Sequence, residues 1–265
     1  MSDLAEPVTR FEDGAFYERM MGVWSRLAGE VFLDWAAPAA GLRWIDVGCG
    51  NGAFTELVVD RCKPAGIDGV DPSEGQLAFA RTRPASRVAK FTQGDAMALP
   101  FPDASFDVAT MALVIFFVPD PAKGVAEMAR VLRPGGLAAA YAWDMAGGGF
   151  PWTVVQSEIK ALGHKIVSPP SADASRVEVM RGLWEKAGFV GVETRAIAVQ
   201  RSFDSIDEFL SIGLNTPSIG PVVKAMPASD VEALKARLRA GLRPDERGRV
   251  TLNARANAVK GRLPR

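Results

Sequence analysis

Histidine occurs once in the 265 residues, cysteine twice and tyrosine twice. A protein zinc site takes three or four His, Cys or carboxylate ligands, so one histidine among scattered acids predicts no bound metal. Cys49 and Cys62 are too few for a disulfide framework, and a reducing, cytoplasmic setting is expected. No apolar run approaches the roughly 20 residues of a membrane helix, so no span is expected. The opening Met1-Ser2-Asp3-Leu4-Ala5-Glu6-Pro7 has neither the basic flank nor the apolar stretch of a secretory signal. An excess of one charge is also missing. The 31 basic residues face 31 acidic ones, which leaves no global field to draw in nucleic acid. What is present is an ordinary globular composition, 48% hydrophobic and 23% charged. It excludes disorder and collagen-like repeats, and the length suffices for one large core.

The balance of charge is uneven along the chain. From residue 222 onward eleven Lys or Arg face only four acids, Asp230, Glu232, Asp245 and Glu246. The ordinary reading is a solvated helix face and tail; the alternative is attraction of an acidic substrate or partner. No aromatic residue is interleaved there to stack on bases, so no nucleic-acid partner is expected.

Short apolar runs alternate with helical patterns through the first two-thirds. Residues 42–47 read as a buried strand, and Gly48-Cys49-Gly50-Asn51-Gly52 breaks it before a helix opens at 53. Strands follow at 66–70, 89–93, 106–111 and 137–142. Helices fall at 74–83 and 121–132, and Arg133-Pro134-Gly135-Gly136 makes a turn. Such alternation predicts a parallel sheet covered on both faces. Later come a helix at 178–187 stopped by Gly188, a strand at 190–198, and a polar–apolar alternation at 249–258 that marks a half-buried strand. That last strand is expected to fold back antiparallel into the sheet. The fold class is therefore α/β, a doubly wound, mostly parallel seven-stranded sheet with an antiparallel C-terminal strand, in a single domain over 1–265. An N-terminal helical cover (1–36, with its helix at 11–35) and substrate-side inserts (145–177 and 204–248) flank a cofactor-binding core at 42–142. Ligands of such sheets bind beyond the carboxyl ends of the strands.

The loop after the first strand permits two cofactors. Gly48, Gly50 and Ala53 satisfy the dinucleotide pattern G-x-G-x-x-G/A, with Asp71 at a suitable distance. Asp46, however, would repel a pyrophosphate and welcome a cationic ammonium group. In Gly94-Asp95-Ala96, a carboxylate followed by a free N–H can bond an adenine amino group and ring nitrogen. A short-chain dehydrogenase needs tyrosine with lysine four residues on, whereas Tyr17 and Tyr141 are followed at that spacing by Met21 and Met145.

Taken together, the run 44–52, Val70-Asp71-Pro72-Ser73, Gly94-Asp95-Ala96 with Leu99-Pro100-Phe101, and Leu132-Arg133-Pro134-Gly135-Gly136 resemble class I S-adenosylmethionine-dependent methyltransferases. The branch is the methyltransferase type 11 group, similar to the ubiquinone and menaquinone biosynthesis methyltransferases. The resemblance implies a Rossmann-like methyltransferase fold and S-adenosyl-L-methionine as cofactor, with S-adenosyl-L-homocysteine as product. It implies that Gly48, Gly50 and Gly52 pass under the methionine part of the cofactor, with Asp46 near its amino group. Asp71 would hold both ribose hydroxyls, which suits a carboxylate that accepts two hydrogen bonds. Pro72 and Ser73 would lie along the adenine, Asp95 would accept from its amino group, and the Ala96 N–H would reach its ring. Backbone at Met111 and Ala112 would border the sulfonium. Tyr17 and Trp24 would close over the cofactor, with ordinary helix packing as an equal reading.

Methyl transfer from a sulfonium is an in-line displacement with a good leaving group. Proximity and desolvation can supply much of the acceleration, and a general base is optional. His164 and Asp144 are the candidate bases, each with a plain structural role as the competing reading. Phe116, Phe117, Trp143, Phe150 and Trp152 are the candidate walls of a pocket for a flat, apolar or cationic small-molecule acceptor. An Asn-Pro-Pro-Tyr motif is absent after the fourth strand, where Met111-Ala112-Leu113-Val114 stands, which argues against planar amino acceptors. Arsenic methylation of the usual kind would need more cysteines. Two other readings stay open: a nicotinamide-dependent oxidoreductase, and a non-catalytic protein that binds S-adenosylmethionine.

Overall fold

The structure is a computed structural model that describes residues 18–265. A short π-helical turn, Glu18–Gly22, leads into α1 (Val23–Ala36), which Ala37 closes in a left-handed conformation. The part of the expected 11–35 helix before Glu18, with Tyr17, lies outside the described residues. Then follow β1 (Arg43–Val47), α2 (Ala53–Cys62), β2 (Gly66–Asp71), α3 (Glu74–Ala80) and β3 (Ala89–Gln93). Helix α3 stops three residues short of the expected end. Pro84 holds Arg83 extended (φ −72°, ψ 150°), and a 3-10 turn, Pro84–Arg87, replaces the last helical turn.

After β4 (Phe106–Ala112) comes α4 (Pro121–Val131), begun by Pro121 and by Asp120, whose carboxylate accepts from the Lys123 N–H at 3.1 Å. Strand β5 (Leu132–Trp143) contains the expected turn rather than following it. Its pairing with β4 jumps from Phe106↔Leu132 to Val108↔Leu137, so residues 133–136 bulge out, with Gly135 at φ +79°. Helices α5 (Thr153–Ala161) and α6 (Val177–Lys186) precede β6 (Val190–Phe203). The second insert is α7 (Ile206–Gly213), α8 (Gly220–Ala225) and α9 (Ala228–Gly241), before β7 (Val250–Arg262).

The seven strands lie in the order β3-β2-β1-β4-β5-β7-β6. The first five are parallel, and β7 runs antiparallel between β5 and β6. Strands β6 and β7 both exceed their expected lengths because they pair with each other from Val190↔Arg262 to Phe203↔Val250. Beyond Ala254, β7 enters the covered middle of the sheet, where residues 256–259 are all buried and the alternation stops.

Side chains of β5 show the two faces. Tyr141 packs on Phe32 of α1 and Phe54 of α2, with ring centroids 4.7 and 5.7 Å away, and donates to the Ser25 carbonyl at 3.2 Å. On the other face Trp184 of α6 donates to the Ala138 carbonyl at 3.1 Å. Six of the eleven C-terminal basic residues are ion-paired. Lys235, Arg237, Arg239, Arg249, Arg255 and Lys260 pair with Glu232, Glu158, Asp207, Asp245, Asp144 and Glu193. No helix among the described residues is long and apolar enough to cross a membrane.

Candidate functional site

Strand β1 has β2 on one side and β4 on the other, so the chain leaves the sheet in opposite directions around it. This switch point is where open α/β sheets bind ligands. The loop that fills it is glycine-rich because its backbone demands it: Gly48, Gly50 and Gly52 have φ of +75°, +52° and +78°. A Cβ at Gly48 would collide with Val114 beyond β4, and one at Gly52 would meet Ala80 at 3.0 Å. At Gly50 the nearest atom would be 4.0 Å off, so there the loop faces open space.

Two carboxylates face this loop. Asp46 is fully buried; its Oδ2 accepts from the Thr55 hydroxyl at 2.6 Å, and its Oδ1 has no partner among the described residues. Burial pushes its carboxyl from 3.8 up to about 7, a shift opposed by Thr55, reinforced by the charge of Asp71, and opposed again by Thr110. Asp71 ends β2, with Oδ2 accepting from the Gly50 N–H and Oδ1 from the Ser73 N–H, both at 2.9 Å. Burial raises its carboxyl while those two N–H groups lower it. Burial also pushes the Cys49 thiol well up, so it is no nucleophile.

The remaining cofactor candidates ring the same end. Ser73 caps α3 by accepting from the Gln76 N–H at 3.4 Å, and Pro72 is exposed beside it. Asp95 is exposed and accepts from the Met97 N–H at 2.8 Å, with Ala96 half-buried next to it. Met111 is buried at the end of β4 and Ala112 half-buried. An orphaned buried acceptor at Asp46, an open cradle over Gly50 and a carboxylate with lone pairs to spare at Asp71 fit a ligand bearing an ammonium group and a ribose. A pyrophosphate would meet Asp46 without a neutralising cation.

The acceptor candidates divide. Trp143 is buried edge-on to Trp24 of α1, with centroids 6.4 Å apart, and neither indole N–H has a partner. Phe116 is buried and Phe117 exposed on a 3-10 turn, Ile115–Phe117, their rings 4.6 Å apart. Phe150 is half-buried. Trp152 is instead core: it stacks on Phe209 of α7 at 5.7 Å and donates to Met21 Sδ at 3.3 Å. Both base candidates are engaged. His164 Nε2 lies 2.8 Å from Asp230 Oδ2, tying the end of α5 to α9. Asp144 Oδ2 accepts from Arg255 Nε at 3.0 Å, and its Oδ1 from the Gly147 N–H at 2.8 Å, clamping the end of β5 to β7. A cleft of about 380 Å³ beside this clamp is lined by Arg176, Glu178, Arg255 and Asn257. Its charges are paired, Arg176 with Asp173 and Glu178, and Arg255 with Asp144.

Nothing in the sequence singles out Thr55, Thr110, Leu113 or Val114 as part of this site. Leu113 is a buried residue at φ +64° directly after β4, a strained conformation for a branched side chain, held by its N–H bond to the Tyr141 carbonyl at 2.8 Å. No turn-forming residue announces it.

Residues 45–140 match the family described as methyltransferase domain. A demethylmenaquinone methyltransferase of Staphylococcus aureus is 31% identical over 176 residues, which cover 59% of this chain and 71% of that protein. Among solved structures, the YcgJ protein of Bacillus subtilis has a TM-score of 0.60 at 18% identity, covering 90% of this chain and 98% of that one. Phosphoethanolamine N-methyltransferase 2 of Haemonchus contortus, solved with S-adenosyl-L-methionine, has a TM-score of 0.57 at 18% identity, covering 94% and 56%. At these identities the structural likeness speaks for the fold.

Proposed function

The chain belongs to the class I S-adenosylmethionine-dependent methyltransferases, and from this we propose that it transfers the methyl group to an apolar, ring-bearing small molecule of the demethylmenaquinone kind. The observation that carries the cofactor's place is the buried, unpartnered Asp46 Oδ1 at the glycine loop. When bound, the cofactor supplies an electrophilic methyl carbon whose leaving group is a neutral thioether. Asp46 holds the ammonium group, Asp71 the ribose hydroxyls, and Asp95 with Ala96 the adenine edge. The backbone from Met111 to the strained Leu113 borders the reacting end. Trp24, Trp143 and Phe116, all buried, exclude water, so desolvation and placement carry the rate. The name of the Staphylococcus relative and this aromatic wall support the acceptor class.

His164 and Asp144 are structural in this reading. His164→Gln is expected to leave turnover within about twofold. Asp144→Asn is expected to cost roughly 1–2 kcal/mol of stability by loosening the Arg255 clamp, with cofactor affinity unchanged. Thermal unfolding, S-adenosylhomocysteine titration and turnover of the two variants check this, and a hundredfold loss of turnover in either one would restore it as a base. The acceptor is tested by incubating the protein with methyl-labelled S-adenosylmethionine and reduced demethylmenaquinone beside phenolic, amine and thiol acceptors. Label in the quinone fraction is expected. Label only in an amine or thiol product would overturn the acceptor class.

A further inference from the structure

Among the described residues nothing neutralises the Asp46 carboxylate. It is fully buried; Oδ2 accepts from the Thr55 hydroxyl, the Thr110 hydroxyl also favours its ionised form, and Oδ1 has no partner among the described residues. The groups that face it are Thr55 from α2, Thr110 from β4, Asp71 from β2 and Cys49 in the loop. All are neutral or acidic, and among the described residues no cation is paired with Asp46. An ionised carboxylate in such a place costs several kcal/mol, and the group escapes that cost by taking up a proton. Asp71 escapes differently, since two backbone N–H groups bond its ionised form.

We propose that Asp46 carries a proton in the cofactor-free protein and surrenders it when the cofactor's ammonium group arrives, so that cofactor binding releases a proton and tightens as pH rises. The inference rests on the cofactor reading above. In chemical terms the Asp46 O–H bond breaks, the proton passes to solvent, and the carboxylate pairs with the ammonium. Its sign follows from the carboxyl being raised from 3.8 to about 7 in the folded chain. The proton is held more tightly folded than unfolded, so its stabilising contribution is full below about pH 4 and is lost as pH rises through about 7. A bound ammonium reverses this by favouring the ionised form.

The test is calorimetric titration of the full chain with S-adenosylhomocysteine at pH 6 and pH 7.5, each in two buffers of different ionisation enthalpy. A group titrating near 7 releases about nine-tenths of a proton per ligand at pH 6 and about a quarter at pH 7.5, with binding about eightfold tighter at pH 7.5. Asp46→Asn, which mimics the protonated side chain, should fold, bind more weakly, and show neither proton release nor pH dependence. Binding by the unaltered protein without proton release at pH 6 overturns the proposal, whatever the variant does. So does release that survives in Asp46→Asn and disappears in Asp71→Asn. Failure of the unaltered protein to bind at either pH would instead overturn the cofactor reading itself.

Discussion

Asp71→Ala is expected to weaken S-adenosylhomocysteine binding by about 100-fold. In the site as assigned, its carboxylate receives two ribose hydroxyls while its oxygens already accept from the Gly50 and Ser73 N–H groups. Hydrogen bonds to a charged partner are worth roughly 1.5–3 kcal/mol each, and two at the low end make about 3 kcal/mol, or about two decades in Kd. The loss has a second source. Alanine frees the Gly50 N–H, and the glycine loop loses the tie that joins it to the end of β2. Asp71→Asn separates the two: it keeps an acceptor for one N–H and should recover part of the loop's order but little of the affinity. Titration with S-adenosylhomocysteine beside thermal unfolding measures both. Unchanged affinity in a folded Asp71→Ala protein would mean that the ribose lies elsewhere.

Gly48→Ala should damage the protein even before ligand is added. At φ +75° an L-residue pays about 1–2 kcal/mol. Its methyl would also stand within 3.0 Å of Val114 Cβ and closer still to both methyls of that β-branched side chain, adding overpacking of roughly 1–3 kcal/mol. A total near 3 kcal/mol lowers Tm by roughly 6–12 °C in a chain of this size. Val114→Ala in the same chain removes the two colliding methyls and leaves the backbone strain, so the double variant should recover about half the loss. The coupling from such a cycle would vanish if Val114 did not pack on this glycine, and the described contact between the loops after β1 and β4 would then be wrong.

These two residues also show what could be read from the chain and what could not. Asp71 and the glycines stand out in the sequence because strand ends, turns and close backbone approach restrict residue choice at short range. For the same reason the order of strands and helices through β5, and the antiparallel return of β7, are legible from periodicity and punctuation. Val114 is an apolar residue like many others, and its place over Gly48 exists only once β4 lies beside β1. Thr55 likewise becomes a ligand of Asp46 only when α2 folds back over the strand it follows. Trp152 was expected in the pocket wall because aromatic residues look alike in sequence; stacking on Phe209, which belongs to a distant insert, places it in the core. The length of β6 depended on pairing with β7, more than 45 residues away in the chain, and the early end of α3 on Pro84. His164 and Asp144 looked like bases because the side chains they bond to, Asp230 and Arg255, lie far along the chain.

The cofactor's place at the switch point beside β1 governs every residue role assigned around the glycine loop. Titration of the cofactor-free protein with S-adenosylhomocysteine, and with NAD in a parallel cell, addresses that point alone. Micromolar binding of the first and none of the second is the predicted result. Binding of NAD in its place would mean that a pyrophosphate sits against Asp46, and would contradict the assignment of every residue around the glycine loop.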